Sequence, residues 1–257
     1  MAMGEPFTDK LESAPAIDDV PPASGGHLAS WERFIDELER KILPFYRQHE
    51  SKFDAFGVHG QMHICRSVML AEWMARFYRT RTQAAIDFFA VRVAVGFHDS
   101  GRRANGIDLW ESDSAANCIN YVLDAVGGDD YAEAVGALIE KKKKSADPLK
   151  KIVQDADVLE IMRPCCGHGG LAGFRREFLH FGGPNDLLAR EVPGIAAQRE
   201  ALVQEAWRWI QSTEPLKAFL KDSPAYMRDL LKHLERQRLK FPLLSELLPP
   251  ANPEGVR

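Results

Sequence analysis

The segment GQMHICRSVMLAEWMARFYR, residues 60–79, decides the fold class. Its apolar residues recur three and four positions apart, the spacing of a helix that turns one face into a core. The same period runs outward in both directions. Upstream, LASWERFIDELERKILPFYRQ (28–48) reads as a helix with a bend at Pro44, whose ring supplies no N–H to the turn before it. Downstream, QAAIDFFAVRVAVGFHD (83–99) is a second apolar helix, and further helices are predicted over 109–126, 130–142 and 148–163, with loops at Gly127-Gly128 and 145–148. After the glycine-rich break CCGHGG come helices near 194–211 and 223–239, the last opened by Ser223 and Pro224 as N-cap and first helical residue. No stretch alternates apolar and polar as a half-buried strand does. The expected architecture is a single all-α bundle over 28–247 with additional C-terminal helices. A disordered arm (1–27) and a flexible tail (248–257) flank it, both rich in Pro and Gly and poor in periodicity.

Composition narrows the function classes. The chain has 257 residues, 45% of them hydrophobic and 27% charged, with a net charge of −4. That is enough chain to bury a sound core without disulfides or a structural metal. A mildly acidic balance gives no footprint for a nucleic-acid polymer. No run of about 18 apolar residues exists and no signal-peptide pattern opens the chain, so no membrane association and a cytoplasmic location are expected. Four cysteines, two of them adjacent (Cys165, Cys166) and none in a CxxC pair, suit a reducing compartment and make no zinc site.

Ionisable groups gather in four places inside strongly apolar helical sequence, where charge is costly unless paired or bound to metal. HGQMHICR (59–66) sets His59 and His63 one helical turn apart, with Arg66 a turn beyond His63. His98-Asp99 closes the apolar run FFAVRVAVGF, placed so that both side chains reach a cation beyond the helix end; the plain alternative is a histidine capping the last carbonyls. DLWESDSA (108–115) follows Arg102 and Arg103, which have the geometry to fork onto phosphate oxygens. Asp108 and Glu111 there either orient water or form a capping box, with Asp108 as N-cap and Glu111 at N3. QDADVLEIMR (154–163) carries Asp155 and Asp157 in an apolar helix, and periodicity does not choose between them.

In chain order the set H…HD…D resembles the HD superfamily of metal-dependent phosphohydrolases over residues 55–165. The resemblance implies an all-α hydrolase in which His63, His98, Asp99 and Asp157 hold one or two divalent ions (Mn, Fe, Mg, Ni or Zn). His59 is the alternative to His63, and Asp155 to Asp157. Two imidazoles and two carboxylates suit such an ion, which lowers the pKa of its bound water and neutralises charge developing on phosphorus. Arg66, Arg102 and Glu111 would position phosphate and water, and His59 and His168 would act as general acids or support the ligands. The expected substrate is small and phosphorylated, a nucleotide or an ADP-ribose conjugate.

HGxxHxxR, HDSGR, the D-x-W-E-x-x-S-A segment and DVLEIMR are together also similar to the phosphodiesterase domain of SidE-type bacterial effectors, which has an HD-like all-α fold. That resemblance implies cleavage of the pyrophosphate bond of ADP-ribosylated ubiquitin, or of phosphoribosyl-ubiquitin linkages, by histidine and glutamate without an essential metal. His59 or His63, Glu111 and a later histidine, His168 or His180, would then be catalytic, and only on this reading is ubiquitin a partner. A third reading keeps the fold as a catalytically silent binding module. The lysines at 141–144, 150 and 151 form a basic cluster, read as a solvated face at a helix end.

Overall fold

The computed structural model describes residues 31–47, 59–82, 85–103, 109–140 and 147–165, with positions 201, 205 and 208. The described residues are helical with connecting turns and contain no strand, so the chain is all-α as its periodicity predicts. The N-terminal arm, the C-terminal tail, most of the two C-terminal helices, the capping Asp108, the lysines at 141–144, and His168 and His180 lie outside the described residues.

The predicted 28–48 helix is broken into α1 (Trp31–Glu37), a π-helical turn (Leu38–Ile42) and α2 (Leu43–Arg47). The Leu43 N–H reaches back five residues to the Leu38 carbonyl, immediately before Pro44. The wider turn thus sits where proline removes a donor from the regular ladder.

α3 (Gln61–Thr82) is the hub, packed mainly against α7 (Pro148–Cys165) and α4 (Phe88–Phe97). It is buried on nearly every side, with Ile64, Val68, Met69, Trp73 and Phe77 in the core and His63, Arg66, Ser67 and Glu72 wholly enclosed among them. Charged groups in such a helix need partners from its neighbours, and that need sets the chemistry below.

α4 starts later than its apolar pattern suggests. Asp87 is the N-cap and accepts from the Ala90 N–H at 2.9 Å, whereas residues 85 and 86 are outside the helix. A carboxylate cap satisfies an otherwise orphaned donor, which apolar continuity alone does not do. α4 ends at Phe97, with His98 as C-cap and residues 98–101 in a turn.

α5 (Glu111–Ala125) and α6 (Asp129–Ala137) form a hairpin joined through Gly127 and Gly128, both at positive φ (80° and 86°), which glycine adopts without strain. The α5 N-cap is Trp110, so Glu111 is the first helical residue and not the N3 member of a capping box. α6 is shorter than predicted. Lys150, buried at 3% exposure, directs its ammonium onto the carbonyls of Ala137 (3.2 Å) and Glu140 at the α6 end, so this member of the basic cluster is a helix cap and not part of a solvated face. No helix among the described residues is long and apolar enough to cross a membrane.

Candidate active site

The first turn of α3, the turn after α4 and the middle of α7 meet in one buried cluster. The α4 turn is held there by two devices. The Tyr46 hydroxyl, wholly buried on α2, donates to the Gly96 carbonyl at 2.7 Å and lies against the Asp99 backbone N–H. Burial and the neighbouring Asp99 carboxylate push the Tyr46 phenol well above its ordinary range, keeping it a donor. On the other side the Gly101 N–H donates to Ser114 Oγ at 2.9 Å. A Cβ at Gly101 would meet Asp113 Cβ at 2.5 Å and the Ser114 nitrogen at 2.7 Å, so only glycine lets the turn lie on the start of α5.

His98 thereby serves both readings of its position. Its Nδ1 contacts the Val95 carbonyl at 2.7 Å as a helix cap, and its Nε2 faces His63 Nε2 at 3.0 Å. Asp157 Oδ1 lies 3.2 Å from His98 Nε2 and 3.4 Å from His63 Nε2. Asp99 Oδ2 is 2.9 Å from His59 Nδ1, 3.9 Å from His98 Nε2 and 4.0 Å from His63 Nε2, while its other oxygen is 3.3 Å from Arg102 Nε. The guanidinium of Arg102 also lies over the Trp110 ring. The structure therefore brings together all four residues of the expected ligand set, with His59 one shell out on Asp99. Asp155 is buried as well, but the contact to the two histidines comes from Asp157.

Proton placement follows from the partners. A carbonyl only accepts, so His98 Nδ1 carries a proton, and without a second proton its Nε2 is bare. His63 Nδ1 sits 2.6 Å from Glu160 Oε2, which likewise fixes a proton on that nitrogen. Two bare Nε2 atoms 3.0 Å apart would oppose lone pairs, so a proton or a cation lies between them. Burial disfavours the charged form of His63, but the Glu160 and Asp157 carboxylates outweigh it and its pKa is pushed up to about 10. Burial likewise opposes charge on Asp99, yet His98, the His59 hydrogen bond and Arg102 hold it well below the usual carboxylate range.

Sequence reasoning missed Glu160 and Tyr46. Glu160 is fully buried and bridges His63 Nδ1 to Arg66 Nε, the latter at 2.6 Å from its other oxygen. Arg66, expected to position phosphate, is itself fully buried and lies beyond Glu160, on the far side of His63 from His98. Arg103 is exposed and bonded to Asp113 at 2.7 Å, so it is held on the α5 surface rather than beside Asp99. Glu111 is half-buried at the start of α5. The one available signal for Glu160 was that it is a third acid in an apolar helix, one turn after Asp157.

His63, His98 and Asp99 each place one ligand atom within 4.8 Å of the others, and Asp157 Oδ1 lies against the two histidines at 3.4 and 3.2 Å. This donor set fits a divalent ion of the kind expected. Comparison with known proteins bears on which chemistry the site belongs to. No curated protein and no solved structure matches the chain. Residues 57–214, well over half of it and including every residue of this cluster except Tyr46, match the family model of the SidE phosphodiesterase (PDE) domain. The chain belongs to the SidE phosphodiesterase domain family.

Proposed function

We propose that this phosphodiesterase cleaves the pyrophosphate bond of ADP-ribosyl conjugates, or the phosphoester linkage of phosphoribosyl conjugates, by histidine and glutamate chemistry, with no obligatory metal. The family match over residues 57–214 carries this reading. The geometry supports it through a histidine-carboxylate pair at the accessible edge of the cluster: the His59 side chain is 13% exposed and its Nδ1 is committed to the 2%-exposed Asp99. A carboxylate in that position fixes the imidazole tautomer and stabilises the cation that forms as the ring reacts.

In the proposed reaction His59 Nε2 attacks phosphorus. An N–P bond forms, the pyrophosphate P–O bond breaks, and the departing phosphate oxygen keeps the electron pair and takes a proton from His168 or His180. Water then attacks the phosphohistidine with Glu111 accepting its proton, and the N–P bond breaks to restore His59. Within the cluster itself Asp99, Asp157 and Glu160 outnumber Arg66 and Arg102 by one negative charge, and a proton in the His63-His98 contact brings it to neutrality.

The convergence of donor atoms from His63, His98 and Asp99, with Asp157 against the two histidines, favours a second reading, in which these four hold a divalent ion in place of that proton. Such an ion would supply Lewis-acid activation of water. The deciding experiment gives the purified chain an ADP-ribosylated peptide and follows release of AMP, with and without EDTA. Turnover that survives EDTA and disappears in His59→Ala is the expected result. Loss on chelation with recovery on Mn²⁺ addition would replace it with the metal-dependent reading, and a chain that binds the peptide but never cleaves it would be a silent module.

A further inference from the structure

We infer that Glu160 is a positioning residue for His63, with Arg66 as the cation that holds Glu160 in place. The inference rests on the phosphodiesterase reading for its effect on rate, but its geometric content is independent of it. Glu160 and Arg66 are both 0% exposed, and the two Glu160 oxygens are divided between two donors at the same 2.6 Å distance. One oxygen takes His63 Nδ1–H, and the other takes Arg66 Nε–H. The three side chains thus form a single line from the α3 interior through α7 back to α3, and the His63 ring is clamped with Nε2 aimed at His98 and Asp157.

Only a carboxylate satisfies this arrangement. A glutamine has the same shape but one acceptor oxygen, so it can accept from His63 or from Arg66 and must turn its NH₂ against the other donor. The His63 proton on Nδ1 would then lose its anchor, or the guanidinium would. A buried carboxylate behind an imidazole also keeps the ring in one tautomer and one orientation, as outer carboxylates do for histidines in hydrolytic and metal sites. Glu160 touches no reacting atom in this scheme and acts only through His63.

Two measurements test this. In the intact protein labelled with ¹⁵N-histidine, His63 should show a strongly downfield, slowly exchanging Nδ1 proton, assigned by its absence in His63→Gln. If no such resonance exists in the wild-type chain, the clamp is not formed and the inference fails, whatever the enzyme does. Kinetics then read its consequence on the ADP-ribosylated peptide. Glu160→Gln should lower kcat by about 10- to 100-fold, the scale of outer partners that orient histidines, with KM unchanged and the downfield resonance lost. Unchanged kcat in a folded Glu160→Gln, or a raised KM at constant kcat, would overturn it, the latter because it would put Glu160 on the substrate. Should wild-type protein not cleave the peptide at all, the functional reading falls, and the resonance alone decides the clamp.

Discussion

α3 carries two buried ionic clusters, and they are built to different standards. Toward its C-terminal half, Glu72 receives Arg92 through two nitrogens, at 2.7 and 2.8 Å, and Arg76 at 2.6 Å. The Arg92 guanidinium lies over the rings of Trp31, Phe34 and Phe88. Acceptors meet donors, and the aromatic faces complete the cation's surroundings. Toward the N-terminal half, carboxylates outnumber guanidiniums, two imidazole nitrogens face each other, and both terminal nitrogens of Arg66 have no hydrogen-bond partner among the described residues. Polar groups left in tension inside a core cost stability and persist where chemistry needs them, so the contrast supports reading one as a fastening between α1, α3 and α4 and the other as the proposed reaction centre.

Breaking the fastening should give the largest change in stability. Arg92→Leu leaves the buried Glu72 carboxylate with Arg76 as its cation and empties the site between the aromatic rings, a loss of up to about 3–5 kcal/mol by the measured scale for removing one partner of a buried pair. Denaturant unfolding should show it, while turnover per folded molecule at low temperature stays near wild type. If activity falls as steeply as stability, the two clusters are one functional unit and the comparison fails.

The opposite pattern is expected in the reaction centre. Asp99→Asn keeps the shape of the side chain but removes the charge that His59 and Arg102 share. Turnover should fall by about 10²- to 10⁴-fold, the range for loss of acid-base or tautomer control. The unfolding midpoint should move less than in Arg92→Leu, because Asp157 and Glu160 remain to balance the buried cations. A midpoint drop matching that of Arg92→Leu, with residual activity intact, would make Asp99 a structural anchor instead.

Most of the helices and most of the cluster are legible in the sequence, for reasons particular residues make plain. His98-Asp99 stands out because it ends an apolar run, and Asp157 because it interrupts one. Glu160 interrupts the same helix yet escapes notice, because α7 is buried on most sides and periodicity assigns no face to an acid there. Its partner His63 is 97 positions away, a pairing that no local pattern encodes. Tyr46 is hidden for the same reason: an aromatic at helical spacing reads as packing, and the Gly96 carbonyl it binds is 50 positions on. Helix ends moved where a polar group won over apolar continuity, as Asp87 did at α4.

Tyr46 gives the finest test of the contrast, since it belongs to the packing of α2 but its hydroxyl serves the centre. Tyr46→Phe keeps the ring and removes one hydroxyl, leaving the Gly96 carbonyl without that donor in a buried site, a cost of about 1–3 kcal/mol. A purely structural hydroxyl would show that cost in unfolding alone. If it instead holds the turn that aims His98 and Asp99, kcat should fall several-fold at a temperature where the variant is fully folded, with KM unchanged, because a small displacement of positioned groups acts on the reacting geometry before it acts on binding. Equal kcat in the two proteins would confine Tyr46 to the fastening side of the molecule and leave Gly101 and Ser114 as the supports of the turn.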